Sequence, residues 1–176
     1  TPENASQLPE MVEFAKSRNL VLQVATYMFP PVRKDGRLVG QNERFSPEEA
    51  AYYMAYADYL LLGRERFLAQ GANCPQPNDP DEHCGQVGEG VRCRAGRCSF
   101  WITWQGNMTP CGMFPTDGYS IPQMGFAGAW EKVRAYVESL TLPAVCTDCP
   151  QRTKCPVCAA ATLCEEGDTT VRPAYI

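Results

Sequence analysis

Ten cysteines crowd into the second half of the chain, and none precedes Cys74. They are Cys74, Cys84, Cys93, Cys98, Cys111, Cys146, Cys149, Cys155, Cys158 and Cys164. The last five, spaced Cys146-x2-Cys149-x5-Cys155-x2-Cys158-x5-Cys164, fall within nineteen residues. Core packing does not call for such density. In an exported protein an even count implies disulfides, but residues 1–19 have neither the basic start nor the apolar run of a secretory signal. The thiols therefore point to metal or redox chemistry in a cytoplasmic protein. Cysteines two residues apart place two sulfurs on one ion through a tight turn, and zinc ribbons and ferredoxins both use this device, so spacing alone leaves zinc and iron open. Pro150 and Pro156, which follow Cys149 and Cys155, restrict the backbone and lower the entropy lost on binding either metal.

The rest of the composition narrows the function classes. A net charge of −4, from 16 basic and 20 acidic residues without a like-charge block, draws the chain to neither nucleic acid nor anionic lipid. No apolar stretch approaches the roughly 20 residues that span a bilayer, so no membrane role is expected. A hydrophobic content of 44% is ordinary for a globular protein and sufficient for a core. The chain opens on Thr1 rather than methionine and enters a helical pattern at once, which suggests a fragment of something longer.

The first seventy residues read as α/β units. Leu8, Met11, Val12 and Ala15 recur at helical spacing over residues 7–17, and the β-rich run 20–29 follows until Pro30 and Pro31 stop it. Ser46, Pro47, Glu48 and Glu49 supply an N-cap, a first-turn proline and the returning Glu of a capping box. One long helix is expected over residues 45–70, laying Ala50, Tyr53, Met54, Ala57, Leu60, Leu61 and Phe67 on a core. Residues 71–92, rich in Pro, Gly, Asn and Asp, read as a connector. A hairpin is expected from strands 99–104 and 108–113 around a turn at 105–107, with Cys98 and Cys111 near its open ends. A helix over 128–140 would turn Trp130, Val133, Val137 and Leu140 to one side before Pro143.

The stretch Cys93-Arg94-Ala95-Gly96, then Cys98, then Gly106-x4-Cys111, read with the five downstream thiols, resembles the SPASM domain of radical SAM peptide and protein maturases. "GNMTPC" followed after a helix by "LPAVCTDCPQRTKC" is similar to that family in order and in spacing, over about half the chain. "TYMFPPVR" and "RFSPEEAA" are similar, more loosely, to the late strands and helices of the partial (β/α) barrel that precedes the domain. The resemblance implies an α+β chain: 1–70 the end of such a barrel, 71–92 a connector, and 93–176 a small auxiliary-cluster domain with a hairpin and a helix. It further implies one [4Fe-4S] cluster on Cys93, Cys98, Cys111 and Cys158 and a second on Cys146, Cys149, Cys155 and Cys164, serving electron relay or structural support. The crossing of Cys158 to the first cluster parallels two-cluster ferredoxins, where the last cysteine of a run ligates the other cluster.

Two departures from the family stand out. Cys155 and Cys158 enclose two residues where the family has three, and no Cys-x3-Cys-x2-Cys occurs to hold the SAM-cleaving cluster. The chain alone should therefore be inactive. S-adenosylmethionine and a third [4Fe-4S] cluster would belong to a missing amino-terminal barrel, and the partners implied are that barrel, a peptide or protein substrate and an electron-donor protein. The competing reading is a zinc-binding interaction module with four-thiolate sites and no redox role; zinc would also enter an aerobic preparation of the first kind. Cys74 and Cys84 fall outside both sets and read as free thiols or a disulfide formed in air. His83, the only histidine, reads as a loop residue, since it has no partner for nucleophilic catalysis. Arg33 reads as a solvated arginine beside a turn, no Gly-x4-Gly-Lys-Ser/Thr is present, and Trp101, Trp104 and Trp130 serve either to shield clusters or to pack.

Overall fold

The computed structural model describes residues 1–29, 44–72, 93–149, 155 and 157–175. The expectations placed on Pro30, Pro31, Arg33, Cys74, His83, Cys84, Pro150, Pro156 and most of the 71–92 connector lie outside these residues. The protein is α+β, with helices and one small antiparallel sheet. It divides into two compact units, one of Thr1–Pro75 with Tyr175 and one of Gln76–Ala174.

In the first unit a short 3-10 helix, Pro2–Gln7, leads into helix α1, Leu8–Ser17. Leu8, Val12 and Ala15 are buried, as the helical spacing requires, whereas Met11 on the flank of the stripe is exposed. The expected single helix over 45–70 is two: α2, Pro47–Leu62, and α3, Arg64–Ala72. The break is Gly63, at φ 78° and ψ 161°, a region that only glycine enters cheaply. Upstream, the capping box forms as anticipated: Ser46 Oγ accepts from the Glu49 N–H at 3.2 Å and Glu49 Oε2 accepts from the Ser46 N–H at 2.8 Å. These bonds, the backbone one foremost, hold the Glu49 carboxyl below the usual carboxylate range. Replacing Ser46 with alanine should lower the stability of this unit by about 1 kcal/mol, read as an earlier urea midpoint in far-UV circular dichroism; an unchanged midpoint would mean that the cap contributes nothing here.

The core of this unit joins Leu8, Val12 and Ala57 to Leu22, Val24, Tyr53, Tyr56, Leu60 and Leu61. Of the expected α2–α3 face, Met54 is the exception and lies exposed. The run 20–29 forms no strand. Leu22, Val24 and Thr26 still turn inward with a period of two, so the β pattern is present while no ladder partner occurs among the described residues. Thr26 Oγ1 instead donates to the Ala50 carbonyl at 2.8 Å, pinning the run to α2. Tyr175 closes the unit by donating to the Phe45 carbonyl at 2.6 Å.

The second unit is a meander packed on one long helix. Strand β1, Trp101–Ile102, pairs antiparallel with β2, Asn107–Thr109, with Trp101 opposite Thr109 and Ile102 opposite Met108. This is the expected hairpin, trimmed at both ends. Its turn uses Gly106 at φ 80°, whose N–H donates to the Thr103 carbonyl at 2.9 Å. A third strand, β3, Tyr119–Ser120, adds to β2 with Asn107 opposite Ser120. Helix α4, Ile121–Ser139, starts seven residues earlier than the sequence pattern suggested and carries a non-helical Gly125 at φ 74°. Its Ala129 and Val133 bury Met108 from β2, with Tyr119, Ile121 and Trp130 around them. Two further helices occur among the described residues of this unit: α5, Ala144–Thr147, and α6, Ala159–Glu166, which ends on Gly167 in the left-handed conformation.

Candidate metal centre

Three separate segments of the second unit carry the first set of thiols. Cys93 and Cys98 flank a tight turn in which the Arg94 carbonyl accepts from the N–H groups of Arg97, Cys98 and Ser99 at 3.0, 3.0 and 3.1 Å. The turn sits hard on α4, because a Cβ at Gly96 would lie 2.4 Å from Val137 Cγ2 and the residue has φ +72°. Only glycine lets the backbone come this close. Cys111 follows β2, in the loop anchored where Thr109 Oγ1 donates to the Cys111 carbonyl at 3.0 Å. Cys158 is the N-cap of α6.

Cys111 lies within reach of the charges of Cys93 and Cys158. Burial pushes the Cys111 thiol above its ordinary range, N–H groups of Met113 and Phe114 pull it down, and the charges of Cys158 and Cys93 push it further up. Each of the three sulfurs accepts a backbone N–H: Cys93 from Ala95 at 3.4 Å, Cys158 from Ala161 at 3.5 Å, and Cys111 from Met113 and Phe114. Thiolates that repel one another when bare become favourable neighbours around a cation, and amide donors aimed at sulfur favour the anionic form. The donors of this set are of the type that a thiolate-bound metal uses, although among the described residues the side chains do not close into a group that would hold one. Cys98 is exposed at the end of its turn, and no charge interaction joins it to Cys111.

The second set lies in and around α5 and α6. Cys146 lies in α5 and is 7% exposed, and the Cys149 N–H turns back to the Cys146 carbonyl at 3.4 Å. Cys164, on α6, is 4% exposed, and its Sγ lies 3.8 Å from the Met113 carbonyl. Cys155 is half-buried. Met113 thus touches both sets, its N–H directed to Cys111 and its carbonyl to Cys164. Among the described residues no three His, Cys, Asp or Glu side chains close into a group able to hold a metal ion.

Sequence reasoning missed one polar atom here. Arg97 Nη1 is buried and has no hydrogen-bond partner among the described residues. A cation between Gly96 and Cys98 was visible in the sequence, but its burial was not. The tryptophans divide their roles: Trp130 packs in the Met108 core, Trp101 lies against Gly112 beside Cys111, and Trp104, 91% exposed, shields nothing. In the first unit, a recess of about 200 Å³ is bounded by α1, residues 22–26, Phe45 and Tyr53, and no thiol, imidazole or carboxylate lines it. No helix among the described residues is long and apolar enough to cross a membrane. No protein-family model, curated protein or solved structure matches the chain.

Proposed function

We propose that the chain is the auxiliary-cluster part of a radical SAM enzyme that modifies a peptide or protein. Cys93, Cys98, Cys111 and Cys158 hold one [4Fe-4S] cluster, and Cys146, Cys149, Cys155 and Cys164 hold the other. The observation that carries the reading is the approach of Cys93, Cys111 and Cys158 from three segments, each sulfur already accepting a backbone N–H. A structural core has no need of that arrangement, whereas a metal does. In this reading the first unit supplies the last helices of a partial (β/α) barrel and the second is a SPASM-like domain.

When bound, each cluster supplies a one-electron site whose potential responds to hydrogen bonds on sulfur and to solvent exposure. The residues of the chain set those two variables differently. Cys146 and Cys164 are buried, so the second site is screened from water, while Cys93, Cys98 and Cys158 are exposed. With four cysteines on each cluster, no iron is left open to a substrate, which assigns the pair to electron relay or structural support. The SAM-cleaving cluster, S-adenosylmethionine and the substrate belong to the rest of the enzyme, with an electron-donor protein as a further partner.

Anaerobic reconstitution of the full chain with iron and sulfide tests the reading. The expected product is brown, with iron and acid-labile sulfide in equal amounts, about eight of each per chain if two four-iron clusters form. A colourless product that takes up zinc in stoichiometric amount and rejects iron would overturn it in favour of four-thiolate zinc sites.

A further inference from the structure

We infer that Tyr175 is a detachable strap: its phenol occupies a seat on the first unit and holds down the end of the run 20–29, which comes loose when the side chain leaves. The inference is independent of the cluster reading above. It starts from a residue grouped apart from its own neighbour in sequence: Tyr175 belongs to the first unit, while Ala174, one residue before, belongs to the second.

The seat meets every part of a phenol. The hydroxyl donates to the Phe45 carbonyl at 2.6 Å, across 130 residues of sequence. The ring packs on the core of Ala5, Phe45 and Ala50, beside Tyr53. The Arg44 guanidinium lies over the ring, its central carbon 4.7 Å from the ring centre, where a cation is attracted to the negative face of an aromatic ring. Tyr27 meets the same ring edge to face, with centres 5.2 Å apart and planes at 67°, the arrangement that aromatic quadrupoles favour. Arg44 also lies 5.7 Å from the Tyr27 ring, so Tyr27, Arg44 and Tyr175 form one cluster.

Two features make this contact a strap rather than a piece of core. Residues 20–29 have no strand pairing among the described residues. Thr26 is tied to α2 through the Ala50 carbonyl at 2.8 Å, and Tyr27, immediately beyond, packs on the ring of Tyr175. Tyr175 itself stands half-buried in a turn, outside any helix or strand, so it can withdraw without breaking a backbone ladder. Segments poor in backbone bonds and buried contacts are the ones that open locally.

The test is chymotrypsin digestion of the full chain under native conditions, with the cut sites read by mass spectrometry. In Tyr175→Ala, cleavage after Tyr27 should run about tenfold faster than in the parent, because losing the ring contacts and the hydrogen bond raises the open population. Cleavage after Tyr56, inside α2, should keep its parental rate. Tyr175→Phe keeps the ring and loses only the hydroxyl donor, and should speed cleavage after Tyr27 by about threefold. A parental rate after Tyr27 in Tyr175→Ala would overturn the inference. Equal acceleration after Tyr27 and Tyr56 would overturn it too, because Tyr175 would then be an ordinary core residue whose loss unfolds the unit. Should Tyr175→Ala fail to fold, Tyr175→Phe carries the test alone, and a parental rate there overturns the inference.

Discussion

Replacing Cys111 with alanine should strip the reconstituted chain of at least about half its iron and sulfide, the share of one four-iron cluster in two. Cys111 is the natural position for this experiment, because its surroundings register two others of its set. Its sulfur is half-buried, accepts from the backbone of Met113 and Phe114, and feels the charges of Cys158 and Cys93. Alanine removes the donor without adding a competing oxygen. A matching Cys146→Ala variant should lose the other share, and the two residual spectra should differ, since the first site is the more exposed. Iron and sulfide assays with electron paramagnetic resonance of the reduced samples read the outcome. Parental iron content in Cys111→Ala would remove Cys111 from the ligand set and with it the convergence on which the reading depends.

The largest loss of stability is expected from Met108→Ala. Met108 is 0% exposed in the central strand of the sheet, paired on both edges with Ile102 and Tyr119, and packed on Ala129 and Val133. Truncation removes the side chain and leaves a cavity that a helix and two flanking strands cannot easily fill. Such changes cost about 2–5 kcal/mol, a large fraction of the stability of a small unit. Urea unfolding of the iron-free chain followed by tryptophan fluorescence reports it directly, since Trp130 packs on the same core. Met108→Leu, which conserves volume, should cost under about 1.5 kcal/mol. Equal losses in both variants would mean that the core does not sense volume at this position.

How much of this was legible in the sequence follows from the range of each signal. The capping box at Ser46 and Glu49 and the hairpin turn at Gly106 are local: the residues that announce them also form them. The break at Gly63 is local too, but a lone glycine inside an apolar helical pattern is usually tolerated, and only its φ of 78° marks the end of α2. Strand β3 was invisible because two residues show no alternation; β2, not its own composition, makes it a strand. The run 20–29 failed in the opposite sense, since its composition favours a strand but pairing needs a neighbour. Helix α6 lay hidden under the cysteine pattern, although Ala159–Ala161 and Gly167 mark its two ends.

The candidate site divides in the same way. The grouping of the thiols is what the family resemblance implies, and their positions are written in the sequence. Their approach is not, because Cys93, Cys111 and Cys158 arrive from a turn on α4, a loop after β2 and the start of α6, and no local rule places three such segments side by side. The buried nitrogen of Arg97 was likewise beyond reach, being a property of packing rather than of composition.

Cys158 begins α6 with its sulfur toward the Ala161 N–H, while its carbonyl accepts from both the N–H and the hydroxyl of Thr162. A thiolate is a better acceptor than a thiol, so any event that draws the proton off this sulfur also tightens the opening turn of the helix. The effect falls on the first turn of α6, where the Ala161 N–H is the group that the sulfur holds.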